Sequence, residues 1–249
     1  MKCLIIAAGK GQRLQTKGES KPLIPLFGIA LIERTILSAR EAGADDFYIV
    51  TGHHHEQVDA FLTRLGKRLD VSVQTIFNTQ WQDTDNGISV LSAYLHLQEP
   101  FLLLMADHLF DPGIARDLIR ATACKNDGIT LAIDSQIDNP LINPDDVTRV
   151  NVVQKKIASI GKGLKEYNAY DTGIFLCTPA IFDALKEGSD KTGNVDLSTG
   201  VQLLAAAGQA NTFDIHGRFW IDVDDPVAFW RAENALLARF QQRPDTVPV

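Results

Sequence analysis

Cysteine is scarce in this chain, and the three present, Cys3, Cys124 and Cys177, lie far apart. No CxxC pair or Cys/His run supplies the ligand spacing of a structural zinc, and no disulfide framework is implied. All three read as reduced, buried thiols. Long apolar runs are missing as well: no stretch approaches the roughly 20 residues that cross a bilayer. The run Cys3–Ala8 is too short for a signal peptide and leads straight into glycines, so the cytoplasm is the expected location. Positive charge is in deficit. The formal net charge is −7, and a surface of that sign repels phosphate backbones, which argues against a nucleic-acid-binding protein. Internal repeats and low-complexity segments are absent too. What remains is an ordinary globular composition, 45% hydrophobic and 22% charged, in a chain long enough for one large α/β domain or two small ones.

Short apolar runs alternate with longer amphipathic stretches, the pattern of βα units around a largely parallel sheet. Strands are predicted at Lys2–Ala8, Asp46–Thr51, Val71–Phe77 and Phe101–Met105. Helices are predicted at Ala30–Ala42, Glu56–Leu69, Asn86–Leu97 and Pro112–Ala123. Phe101–Met105 is the most apolar strand and is expected at the centre of the sheet. It stops at Ala106-Asp107-His108, which puts a carboxylate at the C-terminal edge, where ligands of open α/β sheets collect. Beyond Ala123 the pattern changes. Strand-like Gly128–Asp134, Val147–Val153, Lys156–Ile160 and Gly173–Cys177 follow with few long helices between them, then helices at Ser198–Ala206 and Val227–Phe240. The second half therefore reads as a mixed-sheet elaboration on the first. Residues 1–240 are expected to form one domain. Gln241–Val249, polar and carrying Pro244 and Pro248, reads as a tail or linker where a further domain would attach in a longer protein.

Gly9-Lys10-Gly11 follows the first strand directly. Glycines there let backbone N–H groups crowd around phosphate oxygens, Arg13 can fork onto two of those oxygens, and Lys21 can add a point charge. The segment is not a Walker motif, since no GxxxxGK[ST] is present. Nor is it GxGxxG, because Leu14 stands where the third glycine belongs, so a dinucleotide oxidoreductase loses its main support.

The whole string Leu4-Ile5-Ile6-Ala7-Ala8-Gly9-Lys10-Gly11-Gln12-Arg13-Leu14, followed by Lys21-Pro22-Leu23, closely resembles the signature of the sugar-phosphate nucleotidyltransferase superfamily. Further stretches recur there in the same order: Asn86-Gly87-Ile88-Ser89, Met105-Ala106-Asp107-His108, Ile160-Gly161-Lys162, Tyr170-Asp171-Thr172-Gly173 and Phe219-Trp220-Ile221-Asp222-Val223-Asp224. The later motifs look most like the inositol-1-phosphate cytidylyltransferases, with bacterial phosphocholine cytidylyltransferases next. The resemblance implies a Rossmann-like (GT-A type) α/β domain with a mostly parallel central mixed sheet flanked by helices. It implies transfer of CMP from CTP to inositol 1-phosphate, with Mg²⁺ as cofactor and pyrophosphate released. Phosphocholine, an aminoalkylphosphonate or a sugar 1-phosphate as acceptor, and UTP or GTP as donor, stay open. So does a non-catalytic nucleotide sensor on the same fold. A homodimer, or a fusion to a membrane transferase, would fit the same resemblance.

Carried onto this chain, Ala7, Ala8, Gly9 and Gly11 would line the nucleotide, Arg13 would hold the β- and γ-phosphates, and Lys21 would bridge toward the α-phosphate. Asp107 would hold Mg²⁺, although an Asp after a strand also suits a helix cap, and Pro112 signals a helix shortly afterwards. The second metal carboxylate would come from Asp222 or Asp224, two residues apart and so on one face of a strand. Asn86, Gly87 and Ser89 match the position that meets base and ribose, with helix capping as the competing use of Asn86. Lys162 would meet the acceptor phosphate, and Asp171 the acceptor hydroxyls or a turn. His53-His54-His55 lacks the i, i+4 spacing of a metal site and reads as a solvated loop; Trp81 and Trp220 read as packing residues.

Overall fold

Lys2–Ala7 forms β1 because it has almost no polar side to show to water: Cys3, Leu4 and Ile5 are fully buried, as a strand covered on both faces requires. The computed structural model describes residues 1–122 and 127–242. After β1 come the short hairpin β2 (Pro25–Leu26) and β3 (Ile29–Ala30), then α1 (Leu31–Glu41), β4 (Asp46–Thr51), α2 (His55–Leu69), β5 (Ser72–Phe77) and α3 (Asn86–Leu91). Next are β6 (Phe101–Met105), β7 (His108–Phe110), α4 (Pro112–Thr122), β8 (Ile129–Asp134), β9 (Arg149–Val153), β10 (Lys156–Gly161) and β11 (Ala169–Cys177). The chain continues with α5 (Ala180–Thr192), α6 (Leu197–Ala206), β12 (Ala210–Asp214), β13 (Trp220–Asp222) and α7 (Pro226–Gln242).

One nine-stranded sheet has the order β5-β4-β1-β6-β11-β8-β12-β10-β9, and β9 also pairs with β11. β10 and β11 run against the other seven strands. The fold is thus α/β with a central mixed sheet flanked by helices, parallel through the first half and mixed beyond β6. Alternate residues of β1 feed opposite layers. Cys3 and Ile5 pack with residues of α1, α2 and α4, whereas Leu4 packs with residues of α3, α5 and α6. A third cluster joins Leu14 and Ile24 to Leu109, Ile221 and, from α7, Phe229 and Leu236. It pins the glycine loop to the far end of the chain.

Several elements differ from expectation. The helix predicted to reach Leu97 stops at Leu91, with a separate 3-10 turn at Tyr94–His96. There the Ser92 hydroxyl donates to the Ser89 carbonyl (2.7 Å), and Ala93 N–H turns to the i−3 carbonyl of Val90, which tightens and ends the helix. α5 was not anticipated, nor were β12 and the short strand β7; β13 ends at Asp222, so Asp224 lies beyond the strand on which the two aspartates were expected to share a face. Cys3 and Cys177 are buried, while Cys124 lies outside the described residues. α7 continues through the first two residues of the expected tail, and residues 243–249 lie outside the description. Among the described residues no helix is long and apolar enough to cross a membrane.

Candidate active site

The glycine loop crosses the C-terminal edge of the sheet between β1 and the 3-10 turn Gln12–Leu14. Gly11 has φ 60°, and a Cβ there would stand only 2.8 Å from Lys21 Cδ. Glycine at this position therefore gives the lysine stem room to pass. Lys21 opens a second 3-10 turn, Lys21–Leu23, and its side chain is only 9% exposed.

Two edge features bring carboxylates to this lysine. β6 delivers Asp107 at its C-terminal end, and β13 pairs with β7 so that Asp222 lies opposite His108. Lys21 Nζ donates to both Asp107 and Asp224. Arg13 donates through Nη2 to Asp224 (2.6 Å) and through Nη1 to Asp146. Asp146 in turn accepts from Lys162 Nζ at 2.8 Å. The result is a continuous row of alternating charge: Asp107, Lys21, Asp224, Arg13, Asp146, Lys162. Asp222 and Asp224 do not share a role. Asp222 faces His108 (3.6 Å), whereas Asp224 is held by the two cations.

The fields inside the row are strong. Burial works against the charge on Lys21, but Asp107, Asp224 and Asp222 outweigh it and raise its pKa above the usual lysine range. Burial likewise opposes the Asp107 carboxylate, yet Lys21 and His108 hold its pKa below the ordinary value. Asp224 goes the other way, raised by burial and by the nearby Asp107 and Asp222 charges. His108 is pushed up to about 10, because Asp222 and Asp107 overcome its burial. Asp171 is raised to about 6 by burial, despite the Gly173 N–H that donates to it at 2.7 Å.

Two cavities open along this row. One, of about 600 Å³, is walled by Ala7, Gly9, Gly11, Arg13, Lys21 and Asp107. The other, of about 410 Å³, is walled by Asn86, Asp146, Lys162, Asp171 and Asp222, among others. Asp107 and Asp224 line both, so the cavities meet where Lys21 sits. The first cavity is lined mainly by glycines and cations, and the second by aspartates, an apolar wall and the cations Lys162 and Arg231.

A profile of the MobA-like NTP transferase domain matches residues 3–168. The chain belongs to that family. It is 32% identical over 237 residues to the "Bifunctional IPC transferase and DIPP synthase" of Rubrobacter xylanophilus, covering 94% of this chain and 51% of that protein. A protein of the same name from Aquifex aeolicus is 28% identical, with the same coverage. The chain spans about half the length of these curated relatives. Among solved structures, the inositol-1-phosphate CTP transferase from T. maritima superposes with a TM-score of 0.81 at 24% identity, covering 91% of this chain and 90% of that one. A UDP-glucose pyrophosphorylase complexed with UDP-glucose superposes with a TM-score of 0.77 at 21% identity, covering 96% and 98%. These two likenesses establish the fold.

NTP transferases of this family generally use a divalent metal, and the chain offers a site of matching chemistry. Asp107, His108 and Asp222 each present one ligand atom, all within 4.8 Å of one another. Asp222 Oδ1 is a buried oxygen with no hydrogen-bond partner, as a carboxylate meant for a cation would be.

Not every expected residue reaches a cavity wall in this NTP transferase. Ala8 is buried, and its carbonyl accepts from His53 N–H (3.1 Å). Ser89 is buried and accepts from Asn78 Nδ2 at 3.0 Å. At Gly87 a Cβ would stand 2.5 Å from the Val195 carbonyl oxygen, so the missing side chain lets α3 pack against the segment leading into α6. Asn86 does line the second cavity, while its Oδ1 accepts from Leu197 N–H at 2.8 Å. Asp107 caps no helix; its carboxylate faces Lys21. His53 and His55 are partly buried against Trp81 and Phe77, and only His54 is exposed, so the three are less solvated than expected. Trp220 is buried with Nε1 donating to Asp134, a packing role as expected. Sequence reasoning missed His108 and Asp146 as parts of the site. Adjacency to Asp107 could have flagged His108, but nothing local to Asp146 marks it.

Proposed function

We propose that the chain transfers CMP from CTP to inositol 1-phosphate, giving CDP-inositol and pyrophosphate. One observation carries the reading: two cavities, one lined by glycines and cations as a triphosphate needs and one whose aspartates can meet hydroxyls while Lys162 and Arg231 meet a phosphate, join at a single buried lysine between two carboxylates. The relatives' names supply the substrate pair.

In this reading the glycine loop lies along the nucleotide, Arg13 takes the β- and γ-phosphates, and Lys21 reaches the α-phosphate. Asn86 lines the second cavity, beside the acceptor, and Ser89, buried against Asn78, touches neither substrate directly. Lys162 meets the acceptor phosphate and Asp171 the acceptor hydroxyls. A Mg²⁺ ion held by Asp107 and Asp222 would add positive charge to the triphosphate oxygens. An oxygen of the acceptor phosphate attacks the α-phosphorus in line, the bond to the bridging oxygen breaks, and pyrophosphate leaves. The acceptor is already an anion at neutral pH, so no strong base is needed. The residues must instead hold two mutually repelling anions together and neutralise charge as it develops. The complete set of cations and carboxylates favours catalysis over nucleotide sensing.

The test is pyrophosphate release from each of the four NTPs against inositol 1-phosphate, phosphocholine, an aminoalkylphosphonate and a sugar 1-phosphate. Mg²⁺ is supplied or chelated in parallel. CTP with inositol 1-phosphate is expected to dominate and to stop on chelation. Turnover with a different pair alone would overturn the substrate assignment; no turnover with any pair would overturn transfer itself.

A further inference from the structure

His108 is given to neither the nucleotide nor the acceptor, yet its ring is held tightly at the cavity junction. Its ring is 13% exposed, and Nδ1 lies 2.7 Å from the Thr172 carbonyl oxygen. A carbonyl can only accept, so Nδ1 carries the hydrogen. That carbonyl is itself well placed: Thr172 is buried, and its hydroxyl donates to the Ala132 carbonyl at 2.8 Å. Gly173, at φ 72°, leaves the space the ring occupies, since a Cβ there would overlap the imidazole. Backbone and packing thus aim Nε2 in one direction.

That direction is toward the two carboxylates. Nε2 stands 3.6 Å from Asp222 Oδ2 and 3.8 Å from Asp107 Oδ1, both too far for a hydrogen bond. Ligand atoms about 2.1 Å from one cation stand about 3.0 Å apart at right angles and about 4.2 Å apart when opposite. The two separations fall inside that range. A histidine whose other nitrogen donates to a backbone carbonyl is also the usual arrangement of a metal-bound imidazole.

We propose that His108, once an incoming divalent cation displaces its Nε2 proton, is a third protein ligand of that cation through Nε2, and that the site therefore holds Mn²⁺ or Co²⁺ more tightly than Mg²⁺. An imidazole adds affinity for Co²⁺ and, less strongly, for Mn²⁺, whereas Mg²⁺ keeps to oxygen ligands and gives up its water reluctantly. The assignment rests on the reading of Asp107 and Asp222 as metal ligands, but not on the identity of the substrates.

The experiment is Mn²⁺ titrated into the intact chain, alone and with CTP, read by pulsed electron paramagnetic resonance for ¹⁴N coupling and by calorimetry for affinity. The native protein is expected to show the coupling of a bound imidazole in at least one condition. His108→Asn, whose amide can still donate to Thr172, should lose it. In that variant the Mn²⁺ dissociation constant should rise on the order of 10–100-fold, and the Mg²⁺ constant by less. Bound Mn²⁺ without nitrogen coupling would overturn the proposal, as would coupling that persists in His108→Asn or equal weakening of both ions. The native spectrum is decisive even if the variant folds poorly. Because no turnover is read, a failure here is distinct from a failure of the CTP and inositol phosphate assignment.

Discussion

Replacing Lys21 by Met removes the charge at the junction while keeping most of the stem that passes Gly11. The side chain is 9% exposed and donates to both Asp107 and Asp224, so the change strips the shared partner from two part-buried carboxylates. Breaking a buried pair from one side costs about 3–5 kcal/mol, because the remaining charge is left uncompensated. Urea unfolding at pH 8, followed by tryptophan fluorescence to which buried Trp220 contributes, should show a loss of that size. The loss should also depend on pH. Without the lysine, Asp107 and Asp224 have pKa values raised above their unfolded value, so the folded variant binds protons more tightly than the unfolded chain. Its deficit is then full above those raised values and shrinks on acidification, as the carboxylates neutralise. Adding Asp224→Asn to the variant should restore part of the stability at pH 8. A loss below about 1 kcal/mol, the range of exposed ion pairs, would refute the reasoning. So would a deficit that does not change with pH.

Arg13 offers the contrast, since its side chain is about half exposed (49%). Arg13→Ala should shift the melting temperature little, within about 1 kcal/mol, while kcat/KM for the nucleotide falls on the order of 100-fold; steady-state kinetics and a thermal melt on one preparation separate the two. Gly87→Ala should destabilise by about 1–3 kcal/mol in urea, because the new methyl meets the Val195 carbonyl oxygen. Asp171→Asn keeps an acceptor for the Gly173 N–H but removes a carboxyl raised to about 6. The native protein prefers that carboxyl protonated, so its stability should fall as pH rises from about 4 to 6, and the variant's melting temperature should gain on the native one across that window. A difference that stays flat with pH would contradict the partly buried placement of Asp171 on the cavity wall.

The first half of the fold was legible because strands buried on both faces read as uninterrupted apolar runs. β4 and β6 lie where the sequence predicts them, from Asp46 to Thr51 and from Phe101 to Met105. β7 was not legible and the end of β13 was misplaced, since three-residue strands carry no period and exist only because each pairs with the other across the fold. α5 escaped notice because Ile181, Phe182 and Leu185 give way to a polar last turn. At the site, Arg13, Lys21 and Asp107 stood out because each lies close behind or after a strand edge in a distinctive string. Asp146 was invisible: its meaning lies in meeting Arg13, 133 residues away, which only the tertiary structure brings about. The glycines illustrate a further limit. At both Gly11 and Gly87 the structure shows protein atoms where a Cβ would go, a lysine stem in one case and a carbonyl in the other.

Lys21 lies between the carboxylate that would face the metal and the carboxylate that also holds Arg13. Any phosphate that draws its ammonium away leaves Asp107 with one fewer competitor for a cation. Any cation that occupies Asp107 leaves the ammonium readier for a phosphate. Such exchange makes the two affinities one linked quantity: the factor by which nucleotide strengthens metal binding must equal the factor by which metal strengthens nucleotide binding. A single lysine would then act as the hinge of a thermodynamic cycle, with the cation and the triphosphate arriving as cooperative effectors of one another.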